Sequence, residues 1–151
     1  MNISGYTLFR RDRLCRKGGG VAIYVRRSYT TSEWSSVPAL EPKYELLWVK
    51  VMKDANTTFI GALYHPCSCV YQASVLLDHI LSAVLKIQHE YPASHVILAG
   101  DLNKLSDNEV VIRTGLTPIV SQPTRGCSIL DRVYIHIMAY STVASRSSSL
   151  Q

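Results

Sequence analysis

The chain has 151 residues, 47% of them hydrophobic, which suffices for one domain with a real core and is too little for two ordinary ones. Lysine and arginine outnumber aspartate and glutamate 16 to 11, a formal charge of +5. The excess gathers between Arg10 and Arg27, as suits a phosphate-bearing partner or a solvated basic face. No apolar run approaches the ~20 residues that cross a bilayer as a helix, so no membrane partner is expected, and four cysteines without the spacing of a secreted scaffold point to a reduced, intracellular protein.

In chain order, the alternation in Gly5-Tyr6-Thr7-Leu8-Phe9-Arg10 predicts a strand, followed by a basic loop over Arg11 to Lys17. Gly18-Gly19-Gly20 then opens the β-branched strand Val21 to Val25. A phosphate-cradling glycine loop leads into a helix, whereas this one leads into a strand, so a turn or close backbone approach is the better reading. Arg26 to Pro42 reads as an irregular surface connection. Glu45 to Val51 and Thr58 to Tyr64 form a predicted hairpin around Asp54-Ala55-Asn56-Thr57, stopped at His65-Pro66. Cys67-Ser68-Cys69 lacks the gap of a zinc knuckle, so no metal–thiolate site is assigned.

Ser74 to Tyr91 is the long helix, with Leu76, Leu77, Ile80, Leu81, Val84 and Ile87 at three- and four-residue steps and Pro92 beyond its end. Asp78 near its start and Lys86 and His89 near its end suit the helix dipole. His95 to Ala99 is an uninterrupted apolar strand, of the kind covered on both faces, and it runs into Gly100-Asp101-Leu102-Asn103. If the extended backbone continues, Asp101 and Asn103 share a side and can orient a water and hold a phosphoryl oxygen. The alternative is an ordinary Asp/Asn turn. Further on, a short helix ends near Gly115, Ile119-Val120 forms a brief strand, and Ile129 to Ile135 forms another. Residues 141–151 lack a core pattern and are expected to be a disordered tail.

The order of these motifs is more specific than any one of them. The strand after GGG, then Gly61-Ala62-Leu63-Tyr64-His65-Pro66, the long helix, Ile97 to Asn103, Pro123-Thr124-Arg125-Gly126 and Leu130-Asp131-Arg132-Val133-Tyr134 follow one another. This series resembles the endonuclease/exonuclease/phosphatase superfamily. Within it, the series is most similar to the apurinic/apyrimidinic-type endonuclease domain of non-LTR (LINE-type) retrotransposons. The resemblance covers about Gly5 to Tyr140 and implies an α/β fold, an incomplete two-sheet sandwich over residues 1–140. It implies DNA nicking by magnesium-dependent phosphodiester hydrolysis, in an intracellular and nuclear setting, beside a reverse transcriptase domain.

By the same resemblance Asp101 polarises the attacking water, Asn103 helps hold it and the phosphate, Tyr64 contacts the scissile phosphate, and Asp131 orients a catalytic histidine. Arg11, Arg13, Arg16 and Lys17 are the expected DNA contacts. The family's early asparagine, its metal-binding glutamate and its closing Ser-Asp-His have no counterparts in the sequence. The expectation is therefore a fragment trimmed at both ends, inactive alone, with no assigned metal ligands. Asp12, Glu33 and Glu45 are the carboxylates open to a substitute role, and none of the five histidines replaces the missing one. A non-catalytic nucleic-acid-binding module and a phosphatase of the same superfamily are the alternatives. Sheet edges left open by trimming imply self-association.

Overall fold

A computed structural model describes residues 2–13, 19–35 and 44–136. The expected tail, along with Arg16 and Lys17, lies outside the described residues. Among the described residues, eight strands and two helices follow in the order β1 (Tyr6–Asp12), β2 (Gly20–Arg26), β3 (Thr30–Trp34), β4 (Glu45–Lys53), β5 (Asn56–Tyr64), α1 (Ala73–Glu90), β6 (His95–Asp101), α2 (Asp107–Thr114), β7 (Thr117–Pro118) and β8 (Asp131–His136). β1 and β2 pair antiparallel as one sheet, and the other six strands form a second in the order β3-β4-β5-β6-β8-β7. β5 and β6 run parallel, joined across α1. The α/β class and the two sheets agree with the sequence reading.

Alternation along the strands sorts the large sheet into two faces. Leu46, Trp48, Phe59, Leu63, Val96, Leu98 and Tyr134 point toward α1 and form one buried cluster with its Leu76, Leu77, Ile80, Ala83, Val84 and Ile87. Leu47, Val49 and Val51 point the other way and pack with Val25, Phe9, Val21 and Ile23 of the small sheet. Burying one such aliphatic side chain contributes about 1.5–3 kcal/mol, more than the ~1 kcal/mol of a helix cap. Gln72, at the N-cap of α1, makes no side-chain cap bond, so packing rather than capping sets the helix.

Several expectations shift. The predicted irregular connection contains β3, an edge strand whose Trp34 packs edge-on against Trp48 and Phe59, at centroid distances of 6.4 and 5.3 Å. Its Thr-Thr-Ser-Glu run is polar because Thr30, Ser32 and Glu33 are exposed, which hid it. Arg11 and Asp12 extend β1 instead of belonging to a loop. β7 falls at Thr117–Pro118, two residues before the expected strand, while Ile119 N–H still bonds Val133 O at 2.9 Å. Ala83 replaces Leu81 in the buried stripe of α1. Asp78 serves as an ion-pair partner for Arg113 of α2 at 2.6 Å, and the first turn of α1 carries no acid. β6 is fully buried only toward α1, at Val96 and Leu98; Ile97 and Ala99 are half-buried.

The short helix ends at Gly115, as expected. Ser106 caps it by accepting from Glu109 N–H, and Gly115 ends it in the left-handed conformation at φ 70°.

Candidate active site

Strand register builds the site. Glu45 of β4 stands opposite Tyr64 of β5, Tyr64 opposite Asp101 of β6, and Asp101 opposite Asp131 of β8. Residues in register share a face, so these four side chains form a row across one end of the large sheet. The face is the one that carries Leu47, Val49 and Ile60 under the small sheet. Three of the four expected catalytic residues are thereby brought together by backbone pairing alone.

The fourth, Asn103, arrives differently. The extended backbone does not continue past Asp101: Asn103 has a left-handed φ of 47°, a conformation asparagine tolerates better than most residues. Its N–H donates to Asp101 Oδ1 at 3.1 Å, so the aspartate closes an Asx turn that places the two together. The turn reading and the site reading are thus both true of one segment. Asn103 is buried, and its amide Nδ2 donates to His65 O at 2.7 Å. Its Oδ1 accepts from the exposed Cys67 thiol at 3.3 Å, and its backbone carbonyl accepts from Arg132 Nη2 at 3.2 Å. His65 N–H donates to Asp101 O at 2.9 Å, which locks the end of β5 onto the end of β6.

Gly100 makes that junction possible. At φ 154°, a Cβ on it would stand 1.7 Å from the Leu63 carbonyl oxygen, which no side chain permits.

Around the row, residues that the sequence left without a role do the holding. Thr124 Oγ1 accepts from both Leu130 N–H at 3.0 Å and Asp131 N–H at 3.1 Å, fixing where β8 starts. Arg132, one residue on and therefore on the α1 face, bonds the carbonyls of Ile129, Asn103 and Leu105 and lies 3.3 Å from Asp107. The Pro-Thr-Arg-Gly and Leu-Asp-Arg motifs held the signal for these two, but their tasks depend on contacts that no local pattern encodes.

Arg13 leaves the end of β1 and forks onto Glu45, Nε to Oε1 at 2.6 Å and Nη2 to Oε2 at 3.3 Å. Its guanidinium also lies 5.2 Å from the Tyr64 ring centroid. The hydrogen bond to Glu45 raises the Arg13 pKa above its usual value. Arg11 belongs to the same strand two residues earlier. Of the other carboxylates considered, Asp12 is held by Arg10 at 2.5 Å, and Glu33 lies on edge strand β3.

His65 turns from the row. It is 6% exposed, its Nδ1 lies 3.2 Å from the Tyr71 hydroxyl, and burial lowers its pKa. Desolvation raises the Tyr71 phenol as well. His136 sits at the opposite end of β8, in register with Val96. Neither takes the place beside Asp131.

Magnesium takes oxygen ligands, and the row offers Asp101 and Asp131 side by side. Glu45, its third carboxylate, is committed to Arg13. Among the described residues no three His, Cys, Asp or Glu side chains converge. The described donors therefore do not build an ion site by themselves.

No protein-family model matches the sequence. No curated protein matches it either. Solved structures do share its fold. Truncated TDP2 from Caenorhabditis elegans superposes with a TM-score of 0.63 at 16% identity, over 89% of this chain and 63% of that one. The endonuclease domain of TRAS1, a telomere-specific non-LTR retrotransposon, gives 0.62 at 15% identity, over 87% and 65%. A humanized D. rerio TDP2 gives 0.57 at 20% identity, over 88% and 59%. The chain thus spans about three fifths of the length of these structures. Two sheets, a helix packed on the larger one and a polar row at the strand ends make this chain an example of the endonuclease/exonuclease/phosphatase fold.

Proposed function

We propose that this chain is part of a DNA-processing phosphodiester hydrolase of the retrotransposon-endonuclease type. The carrying observation is the row Tyr64–Asp101–Asp131, set in register across three strands, with Asn103 turned onto Asp101. Two kinds of fold neighbour support the DNA reading: the TRAS1 structure is an endonuclease domain, and a D. rerio TDP2 was solved with a single-strand DNA product, at a TM-score of 0.53.

In this reading Asp101 accepts a proton from, and orients, the attacking water. The Asn103 amide steadies the phosphoryl group, and the Tyr64 hydroxyl donates to a phosphate oxygen. Asp131 holds the ring of a histidine supplied by the rest of the protein, as carboxylates do elsewhere. Arg11 and Arg13, with Arg16 and Lys17 outside the described residues, contact the DNA backbone. Residues 1–140 form the domain portion and 141–151 its tail. Magnesium dependence, nuclear location and a reverse transcriptase partner belong to the intact protein. The 151 residues alone hold half of the site and are inactive.

The test is a supercoiled plasmid incubated with the chain and magnesium, alongside gel-shift binding over a salt series. Salt-sensitive binding without nicking above the Asp101→Ala background is expected. Nicking that Asp101→Ala abolishes would keep the hydrolase and discard the inactivity. No binding at low salt would discard the DNA reading.

A further inference from the structure

The triple glycine and Glu45 are the two features near the row that the proposed chemistry leaves unused. Gly19 has a φ of +96°, and a Cβ there would lie 2.7 Å from Arg13 Cζ and 2.9 Å from Nη2. The bare backbone of Gly19 therefore lies against the guanidinium, which occupies the place that the Cβ of any other residue would need. From another direction Glu45 grips the same group through two hydrogen bonds, and the Tyr64 ring lies 5.2 Å away. Arg13 and Glu45 are 29% and 13% exposed at their side chains, so the pair is sheltered but open on one side. Because Glu45 and Tyr64 are cross-strand neighbours and Tyr64 adjoins Asp101, the guanidinium stands at the head of the row.

We propose that Gly19, Glu45 and Tyr64 form a socket that presents Arg13 to a backbone phosphate entering the row, with Glu45 as a positioning residue for that arginine. This deepens the DNA reading above and rests on it. An arginine side chain loses considerable rotamer freedom on binding, and its planar fork fits carboxylate and phosphate geometry equally. A socket that fixes the group beforehand leaves less entropy to lose when phosphate arrives. The fork on Glu45 uses Nε and Nη2, which leaves the Nη1 amino group outside it.

Simple charge counting and the socket predict opposite signs for one variant. Removing an acid from a basic protein should tighten DNA binding. If Glu45 positions Arg13, then Glu45→Ala should weaken it.

The experiment measures binding of a single-stranded oligonucleotide and, separately, of inorganic pyrophosphate, over a salt series, using the full chain. Arg13→Ala should weaken oligonucleotide binding about tenfold and reduce the salt slope by about one. Glu45→Ala should lose about as much, while Glu45→Gln, which keeps an acceptor, should restore most of it. Gly19→Ala should resemble Glu45→Ala, and Lys86→Gln, on α1 across the large sheet from the row, should bind like the parent. Melting curves confirm that each variant is folded; if Gly19→Ala is not, the two Glu45 variants decide. Equal or tighter binding by Glu45→Ala, or an unchanged slope in Arg13→Ala, overturns the socket and leaves the DNA reading standing. Arg13-dependent pyrophosphate binding without oligonucleotide binding overturns the DNA reading and keeps the socket. Binding of neither probe overturns both.

Discussion

At the scale of single residues, the site depends on backbone positions that few side chains tolerate. Gly100 is the clearest, since a methyl group there would sit inside van der Waals contact of Leu63 O. Gly100→Ala must push β5 from β6 at the point where Tyr64 and Asp101 meet, and should cost on the order of 3 kcal/mol from strain and overpacking. Urea denaturation would read the loss; a change below about 1 kcal/mol would show that the junction relaxes. His65 gives a pH dependence of definite sign. Burial holds its folded pKa below the ordinary 6.5, so the unfolded chain takes up a proton that the folded one refuses. Stability is full above pH 6.5 and falls as pH drops from there toward the folded pKa. Thermal melting between pH 7.5 and 5.5 should show a decline that His65→Gln reduces.

At the scale of elements, the loop after β6 is held by a side chain from β8. Arg132 bonds three carbonyls and approaches Asp107, while Tyr134 bonds the same Asp107. Replacing it with methionine keeps much of the stem packing and removes charged hydrogen bonds worth about 1.5–3 kcal/mol each in isolation. Arg132→Met is therefore expected to lower stability by about 2–3 kcal/mol and to speed amide exchange at residues 103–107 more than in α1. Uniform exchange across the protein would count against a local clamp. This is also the scale at which the sequence was most and least readable. α1 and α2 were legible because their stripe, cap and terminal glycine are local signals. β3 was not, because a polar edge strand carries only Trp34 as a packing residue. The Asp101–Asn103 segment was legible as to residues but not as to conformation, since turning at Asn103 requires the partners from His65 and Arg132.

At the scale of the whole molecule, coverage of the large sheet is uneven. The small sheet lies over β4 and β5, while Ile97, Ala99, Val133 and Ile135 on the same face of β6 and β8 stay half-buried. Half-covered apolar surface and open strand edges favour pairing with other chains. We therefore expect concentration-dependent association in sedimentation velocity; a single monomer species across a hundredfold concentration range would refute it. The row itself was only partly visible in the linear sequence, because register is a property of pairs. Tyr64, Asp101 and Asp131 stood out through family-like motifs, whereas Glu45 joined them only through its place opposite Tyr64. Register also makes the gene's reading of length matter locally. The turn at Arg125–Ser128 is exposed and closed by its own hydrogen bonds, yet Thr124 measures the distance from there to Asp131. Losing one codon between them would slide Arg132 into the place of Asp131 and turn Tyr134 out of the core, exchanging an anion for a cation while leaving composition nearly intact. Relatives of this chain should therefore hold the number of residues between Thr124 and Asp131 fixed.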